Sequence, residues 1–439
     1  MSDATVDSAG GAQVGMLQWW MAANFAAGAG FSAFMALLIP PYVTEVTSDA
    51  AAAGVVMAVI SLAAVLGPVL GTLADRHAAH RLLMTLGVLG MAVGFAAFAI
   101  ASESSSFFAI DAIVLGVSVA AVSAVGPVFI VGVGLPKEVE AKRMTGYSLT
   151  MPAGQVVAGA MIGWVASAGW SYSDRFWLAA VFCGVLAVIT WFGAKEPERV
   201  LHAAMYGDGR RAPAEPDGEH DSDRSGHTEK VPLRAVIWST FGLFLLVGTL
   251  SSVANNGINS QISNIMPNVY GMSEAETSTL ISVAGLLNIV LFFPAGRMMA
   301  RRGGVDVYSL GVTMRLVGAL GMAVVGLIAD SAVLVAIAFV QILYQANPFA
   351  RLAQASVGVR FATFPPGVAN GWIIAGSALG GFAGAAIGGV LADRYGFNAV
   401  NWMGAIAAAL SVVVLLVGLV PAARTGGSPS SSDRSTLPS

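Results

Sequence analysis

Twelve long apolar runs govern what this chain can fold into. They lie at 17–39, 51–73, 82–101, 107–134, 147–169, 176–194, 235–258, 276–300, 305–329, 331–350, 366–391 and 399–420. Each is close to the roughly 20 residues that a helix needs to cross a hydrocarbon core of about 30 Å. Alanine, glycine and leucine dominate them, in stretches too long for strands. A membrane β-barrel would instead show alternating segments of about ten residues. Of 439 residues only 11% are charged and 56% are hydrophobic. A soluble domain carries roughly a quarter charged residues, so this chain lacks the polar cover that water demands. The runs predict an all-α membrane protein with twelve transmembrane helices.

Basic residues orient the bundle. With the N-terminus placed inside, only Arg175 and Arg394 of the 22 Lys and Arg fall on the outer side, and Arg315 alone lies well inside a span. The positive-inside rule therefore predicts both termini in the cytoplasm and a multi-pass protein of the plasma membrane. Trp19, Trp20, Trp191 and Trp238 would mark the inner ends of spans, and Trp170, Trp177 and Trp402 the outer ends, as interfacial anchors.

Other residues exclude whole classes of function. The one cysteine, Cys183, sits in an apolar run, so neither a disulfide framework nor a cysteine-rich metal site is expected. All five histidines fall in polar connections, which leaves the spans without a histidine relay or metal ligand. No cofactor or metal is expected, and no catalytic constellation of an enzyme. Net charge is −3 with no basic block, so no nucleic-acid partner is expected. Residues 1–16 contain no Lys or Arg and do not read as a secretory signal.

The strongest composition shift is 195–234, with 16 charged residues in 40 and four prolines. It predicts a disordered cytoplasmic linker between bundles at 17–194 and 235–421. Tails at 1–16 and 422–439 complete the chain, the second rich in Ser, Gly and Pro. A shift of 225 residues lays Ala158-Gly159-Ala160-Met161-Ile162-Gly163 on Ala383-Gly384-Ala385-Ala386-Ile387-Gly388, and Gly71 and Arg76 on Gly296 and Arg301. Two six-helix halves related by an internal repeat, with a solute path between them, are the expected architecture.

The loop between spans 2 and 3 reads Gly71-Thr72-Leu73-Ala74-Asp75-Arg76-His77-Ala78-Ala79-His80-Arg81. It resembles the cytoplasmic signature of the major facilitator superfamily, with Gly71, Leu73, Ala74, Asp75, Arg76 and Arg81 matching. Ala78 stands where that signature has glycine, which predicts a less tight turn. A weaker copy, Gly296 to Gly303, lies between spans 8 and 9. The resemblance implies a secondary transporter and a gating role for Gly71, Asp75, Arg76 and Arg81. Asp75 would latch onto the N-terminal end of span 11 near Pro366 and Gly367, and onto Lys142 or Arg143, in one state of the cycle. Two markers of the drug–proton antiporters in this superfamily are missing. Ala112 stands in place of the arginine before Gly116, and 154–163 lack the Gly-Pro pair.

The resemblance also implies that spans 1, 4, 7 and 10 line a cavity flanked by spans 2, 5, 8 and 11. The candidate solute-binding residues are then Asn24, Gln155, Asn255, Asn256, Asn259, Gln341, Tyr344, Gln345, Asn370 and Trp372. The cluster Asn255 to Asn259 is similar to the amide-rich span 7 of sugar porters. Amides in a bilayer need partners, so each could instead join helices. Asp111, in span 4, is the candidate for proton coupling, because ionisable groups within spans often mark proton paths. Gly376, Gly380, Gly384 and Gly388 form a ladder on span 11, read as close packing or a sliding contact between halves. Arg315 is expected to snorkel toward the cytoplasm. With no other cation expected in the central spans, a neutral polar or amphipathic solute such as a sugar or nutrient is favoured over a phosphate or dicarboxylate. Efflux of drugs or metabolites by proton antiport, and a transporter-like sensor or assembly protein, stay open. The expected partners are a small molecule, the lipid bilayer and possible protons, with the protein working as a monomer.

Overall fold

The computed structural model describes residues 16–101, 105–133, 135–206, 238–328, 332–362 and 366–421. Twelve helices among them are long and apolar enough to cross a membrane. Spans 1 to 6 are Trp19–Thr47, Ala50–His77, His80–Ile100, Phe107–Val131, Glu138–Ser167 and Tyr172–Gly193. Spans 7 to 12 are Thr240–Asn259, Glu274–Arg302, Gly304–Val325, Val333–Gln354, Ala369–Tyr395 and Asn398–Leu419. No strand occurs among the described residues.

The helices begin and end for local reasons. Asp49 caps span 2 by accepting from the backbone N–H groups of Ala51 and Ala52, and Ser171 caps span 6 through Asp174. Ser273 and Glu276 form a reciprocal capping box at the start of span 8. Prolines within spans mark irregularity rather than breaks. Span 4 loosens around Pro127, and span 1 carries Pro40 and Pro41 just beyond a π-helical stretch at Gly30–Met35. Such π-turns concentrate at functional sites.

Packing repeats between the halves. Spans 1 and 5, 2 and 4, 3 and 4, and 3 and 6 pack together in the first half; spans 7 and 11, 8 and 10, 9 and 10, and 9 and 12 pack in the second. Between halves, span 2 meets span 11 and span 5 meets span 8. Shifting every span number by six maps one set onto the other, so the fold is two pseudo-symmetric six-helix bundles. Leu286, Val290 and Phe293 on span 8, and Val181, Val185 and Phe192 on span 6, leave their apolar side chains exposed at the rim. Large exposed apolar surface of this kind suits lipid, not water.

Several expectations are corrected. The first twelve residues of the segment read as a disordered linker, Lys195–Tyr206, form a helix. It docks through buried Leu201, through Glu198 to Arg81, and through His202 Nε2 within 2.9 Å of the Ala78 carbonyl oxygen. An amphipathic helix gains enough from that apolar contact to order despite its charges. The rest of the linker, the first fifteen residues and the tail beyond Pro421 lie outside the described residues. Trp20 is no anchor: it is buried, stacks on Tyr147 and donates to Gln18. Ala78 does not loosen the loop but adopts the left-handed conformation itself (φ 49°), with the Ala79 N–H bonded to the Ala74 carbonyl. The glycine ladder of span 11 faces span 7 in its own half. Added β-carbons there would meet Thr249, Ser252, Val253 and Gly257. The contact between halves uses other positions of the same helix: a β-carbon on Gly54 would lie 2.6 Å from the Ala385 oxygen and from the Gly389 Cα.

Candidate functional site

A cavity of about 720 Å³ lies between the halves, lined by residues from spans 1, 2, 4, 5, 7, 9, 10 and 11. Its size suits a small organic molecule. Phe31, Ala36, Met57 and Ile60 give it an apolar wall in the first half, and the second half supplies most of its polar groups.

Six of the ten candidate solute-binding residues line this cavity: Gln155, Asn255, Asn256, Asn259, Tyr344 and Asn370. Asn256 donates to the Ser252 carbonyl at 3.1 Å, on its own helix. Asn259 has a buried side-chain oxygen without a partner. Gln155 reaches across the halves, its Nε2 donating to the Ile281 carbonyl at 3.2 Å. Four candidates lie elsewhere. Asn24 is buried between spans 1 and 5, donating to the Tyr147 carbonyl and the Thr150 hydroxyl. Gln341 and Gln345 tie span 10 to span 8 through the Leu280 and Ala284 carbonyls. Trp372 packs on the apolar cluster around Phe241 and Phe244. Amides within a bilayer meet these helix-joining needs first.

Asp111 is buried but does not line the cavity. It sits against Gly94 of span 3, and its Oδ2 has no hydrogen-bond partner among the described residues.

The sequence reasoning missed the cavity's cations. Arg315 does not snorkel. It is buried at 9% exposure, and its Nη1 and Nη2 donate to Ser251 Oγ at 2.5 Å and Asn347 Oδ1 at 3.0 Å. Position 315 stands eleven residues into span 9. With ten residues left on its other side, it lies about 15 Å from the nearer helix end, more than an arginine side chain can span, and the spacing was the signal available. Arg351 was read as a loop residue, but span 10 continues as helix to Phe361 and presents Arg351 to the same cavity.

The two ends of the cavity differ. Beyond Asn259, Asn264 donates to Thr44 Oγ1 at 3.1 Å and Gln261 to the Ala50 carbonyl at 3.2 Å, joining the halves. Buried Arg175 pairs with Glu274 at 2.5 Å, and the Tyr172 hydroxyl donates to the same carboxylate. Gly54 against Gly389, and Gly159 against Ser278 and Ser282, complete this closed face. The opposite face carries the Asp75 loop and most of the basic residues. There a β-carbon on Gly67 or Gly71 would meet no atom within 4 Å, and Asn370 and Arg351 are exposed. Asp75 Oδ1 lies 2.9 Å from His80 Nε2, Arg76 is exposed, and Arg81 pairs with Glu198 and stacks 3.7 Å over Trp191. The four residues with an expected gating role therefore gather at the parted face, where Gly71 has open space beside it.

A family model described as Major Facilitator Superfamily matches residues 20–344 and 244–438. The chain belongs to the major facilitator superfamily. As a member of this superfamily it is a membrane transporter rather than an enzyme. Solved structures of the superfamily fold agree. A D-xylose–proton symporter aligns with a TM-score of 0.67 and 11% identity, over 91% of this chain and 97% of the other. A peptide transporter in complex with sulfate aligns at 0.71 and 16%, over 93% and 94%. The nucleoside transporter NupG aligns at 0.65 and 12%, over 91% and 96%. No curated protein matches the sequence significantly.

Proposed function

We propose that this superfamily member is a secondary transporter that moves a small polar organic solute across the plasma membrane by alternating access. One observation carries the reading: a cavity shared by both halves, sealed at one face by contacts between them and open at the other. The positive-inside rule assigns the open, basic face to the cytoplasm, so the state seen is inward-facing. Asn255, Asn256, Asn259, Gln155, Tyr344 and Asn370 contact the solute. Asp75 and Gly71 act in the opposite state, when the basic face closes over span 11.

Asp111 is proposed to carry the coupling proton. Since it does not line the cavity, it acts through the packing of spans 3 and 4 rather than by touching solute. Ionisable groups buried within spans are expensive and mark such pathways.

The test is counterflow in proteoliposomes with labelled sugars, carboxylates, amino acids and nucleosides. At least one should exchange faster than in protein-free vesicles. In Asp111→Asn, exchange should persist while accumulation driven by a pH gradient disappears. Flux of none of these solutes would favour a sensor role instead.

A further inference from the structure

We propose that the transported solute carries an oxyanion, a carboxylate or phosphate group, that seats between Arg315 and Arg351. The inference rests on the transport reading above and names the solute class of that same cavity.

Two guanidinium groups line the cavity, and no carboxylate is among its lining residues. Neither arginine forms an ion pair among the described residues. Elsewhere in the molecule the pattern differs: buried Arg175 has Glu274, and Arg81 has Glu198. Among the described residues Arg315 is held only by neutral oxygens, those of Ser251 and Asn347, and its Nε is buried without a partner. A guanidinium offers five N–H donors, so three remain after these two bonds.

A structural strut between spans 7, 9 and 10 does not need a charge, since a glutamine could donate to the same two oxygens. Burying a cation without its counter-charge is costly, because the attraction that would offset its lost hydration is missing. A solute anion would supply that counter-charge, through short charge-assisted bonds that match the planar fork of arginine. Ser251 and Asn347 fix the fork in advance, so the solute meets an oriented group. Arg351 is exposed in the cavity, where its one hydrogen-bond partner among the described residues is the Met151 sulfur at 3.5 Å, which leaves its other donors to close on the same anion. The amides of span 7 then read the uncharged remainder of the solute.

The protein in lipid nanodiscs can be tested by thermal shift and isothermal titration against matched pairs at constant ionic strength. The pairs are succinate and succinamide, lactate and lactamide, and glycerol 3-phosphate and glycerol. At least one anion should bind while its uncharged partner does not, and whether a carboxylate or the phosphate binds separates the two sources of the oxyanion. Arg351→Gln, at an exposed side chain, should fold and bind that anion at least tenfold more weakly, with Arg351→Lys between the two. Arg315→Gln should abolish binding; should it fail to fold, Arg351→Gln still decides. An uncharged partner that binds as well as its acid, or an Arg351→Gln variant with wild-type affinity, overturns the proposal. If uncharged solutes are bound and exchanged in proteoliposomes, the anion inference fails and the transport reading stands. If none of the six binds, and none of the labelled sugars, carboxylates, amino acids and nucleosides exchanges, both fail.

Discussion

The two faces of the protein use the same small-residue devices to opposite effect. At the closed face, Gly54 and Gly389 bring spans 2 and 11 so near that a β-carbon on Gly389 would lie 2.7 Å from the Gly54 Cα. At the open face, Gly67 and Gly71 occupy the same span 2 with nothing within 4 Å of an added β-carbon. The buried apolar groups follow the same division. Those of the first half run on into Ile262, Ile265, Leu280 and Ile281 at the closed face, whereas the open end of the second half keeps its own cluster around Phe241, Phe244, Tyr308 and Phe349. Glycine on span 2 thus reads as surface fit for close approach at both ends, of which the end at Gly54 is engaged in this structure.

The largest effect is expected where the contact is backbone on backbone. Gly389→Val should prevent closure beside Gly54, because added bulk in a tight core costs about 1–3 kcal/mol even where side chains can yield. Transport should fall at least tenfold, and a cysteine placed at Ser263, buried at this face, should become reactive to maleimide. The native Cys183 is fully buried and gives a silent background. Wild-type transport by Gly389→Val would break the contrast between the faces.

Next comes the ion pair. Glu274→Gln removes the partner of Arg175 and weakens the acceptor of Tyr172. The carboxylate is half exposed, so the loss is about 1 kcal/mol and labelling at Ser263 should rise about fivefold. Asp75→Asn, at the other face, should leave that labelling low and still reduce transport if, as proposed, Asp75 serves the state in which its own face closes. Equal effects of the two variants on Ser263 would show that the faces are not separate gates.

The amides sharpen the comparison further. Asn256→Ala and Asn259→Ala, in the cavity, should weaken solute response by about 1 kcal/mol each, near fivefold, with thermal stability almost unchanged. Gln345→Ala, which cuts a bond from span 10 to span 8, should do the reverse, lowering stability by about 0.6 kcal/mol or somewhat more. The smallest effect is expected at the loop. Ala78→Gly relieves a left-handed residue and should stabilise the protein by about 1 kcal/mol, read as a higher Tm in a thermal melt.

Much of the fold was legible in the sequence because bilayer thickness sets helix length and the packing between spans follows the internal repeat. The site was legible only in part. Asn255, Asn256 and Asn259 stand out because amides on a helix inside a membrane demand partners. The same logic cannot separate them from Gln341 and Gln345, whose partners are carbonyls of span 8 far away in sequence. Arg351 was hidden because a charge ends an apolar run, although the helix itself continues for ten more residues to Phe361. Arg315 was hidden by placing span 9 at the periphery, although its side chain passes between spans 7 and 10. The Glu274 pair left no local trace, since Arg175 lies 99 residues away.

Alternating access requires the two faces to open in turn around a single cavity. Spin-label pairs test it directly: Ser48 with Ser273 across the closed face, and Thr145 with Arg297 across the open one, all exposed positions. Double electron–electron resonance in nanodiscs, with and without a transported solute, should give two populations for each pair. The first distance should lengthen as the second shortens, and solute should shift their proportions. Distances that lengthen together, or stay fixed in protein that still exchanges solute, would contradict the claim.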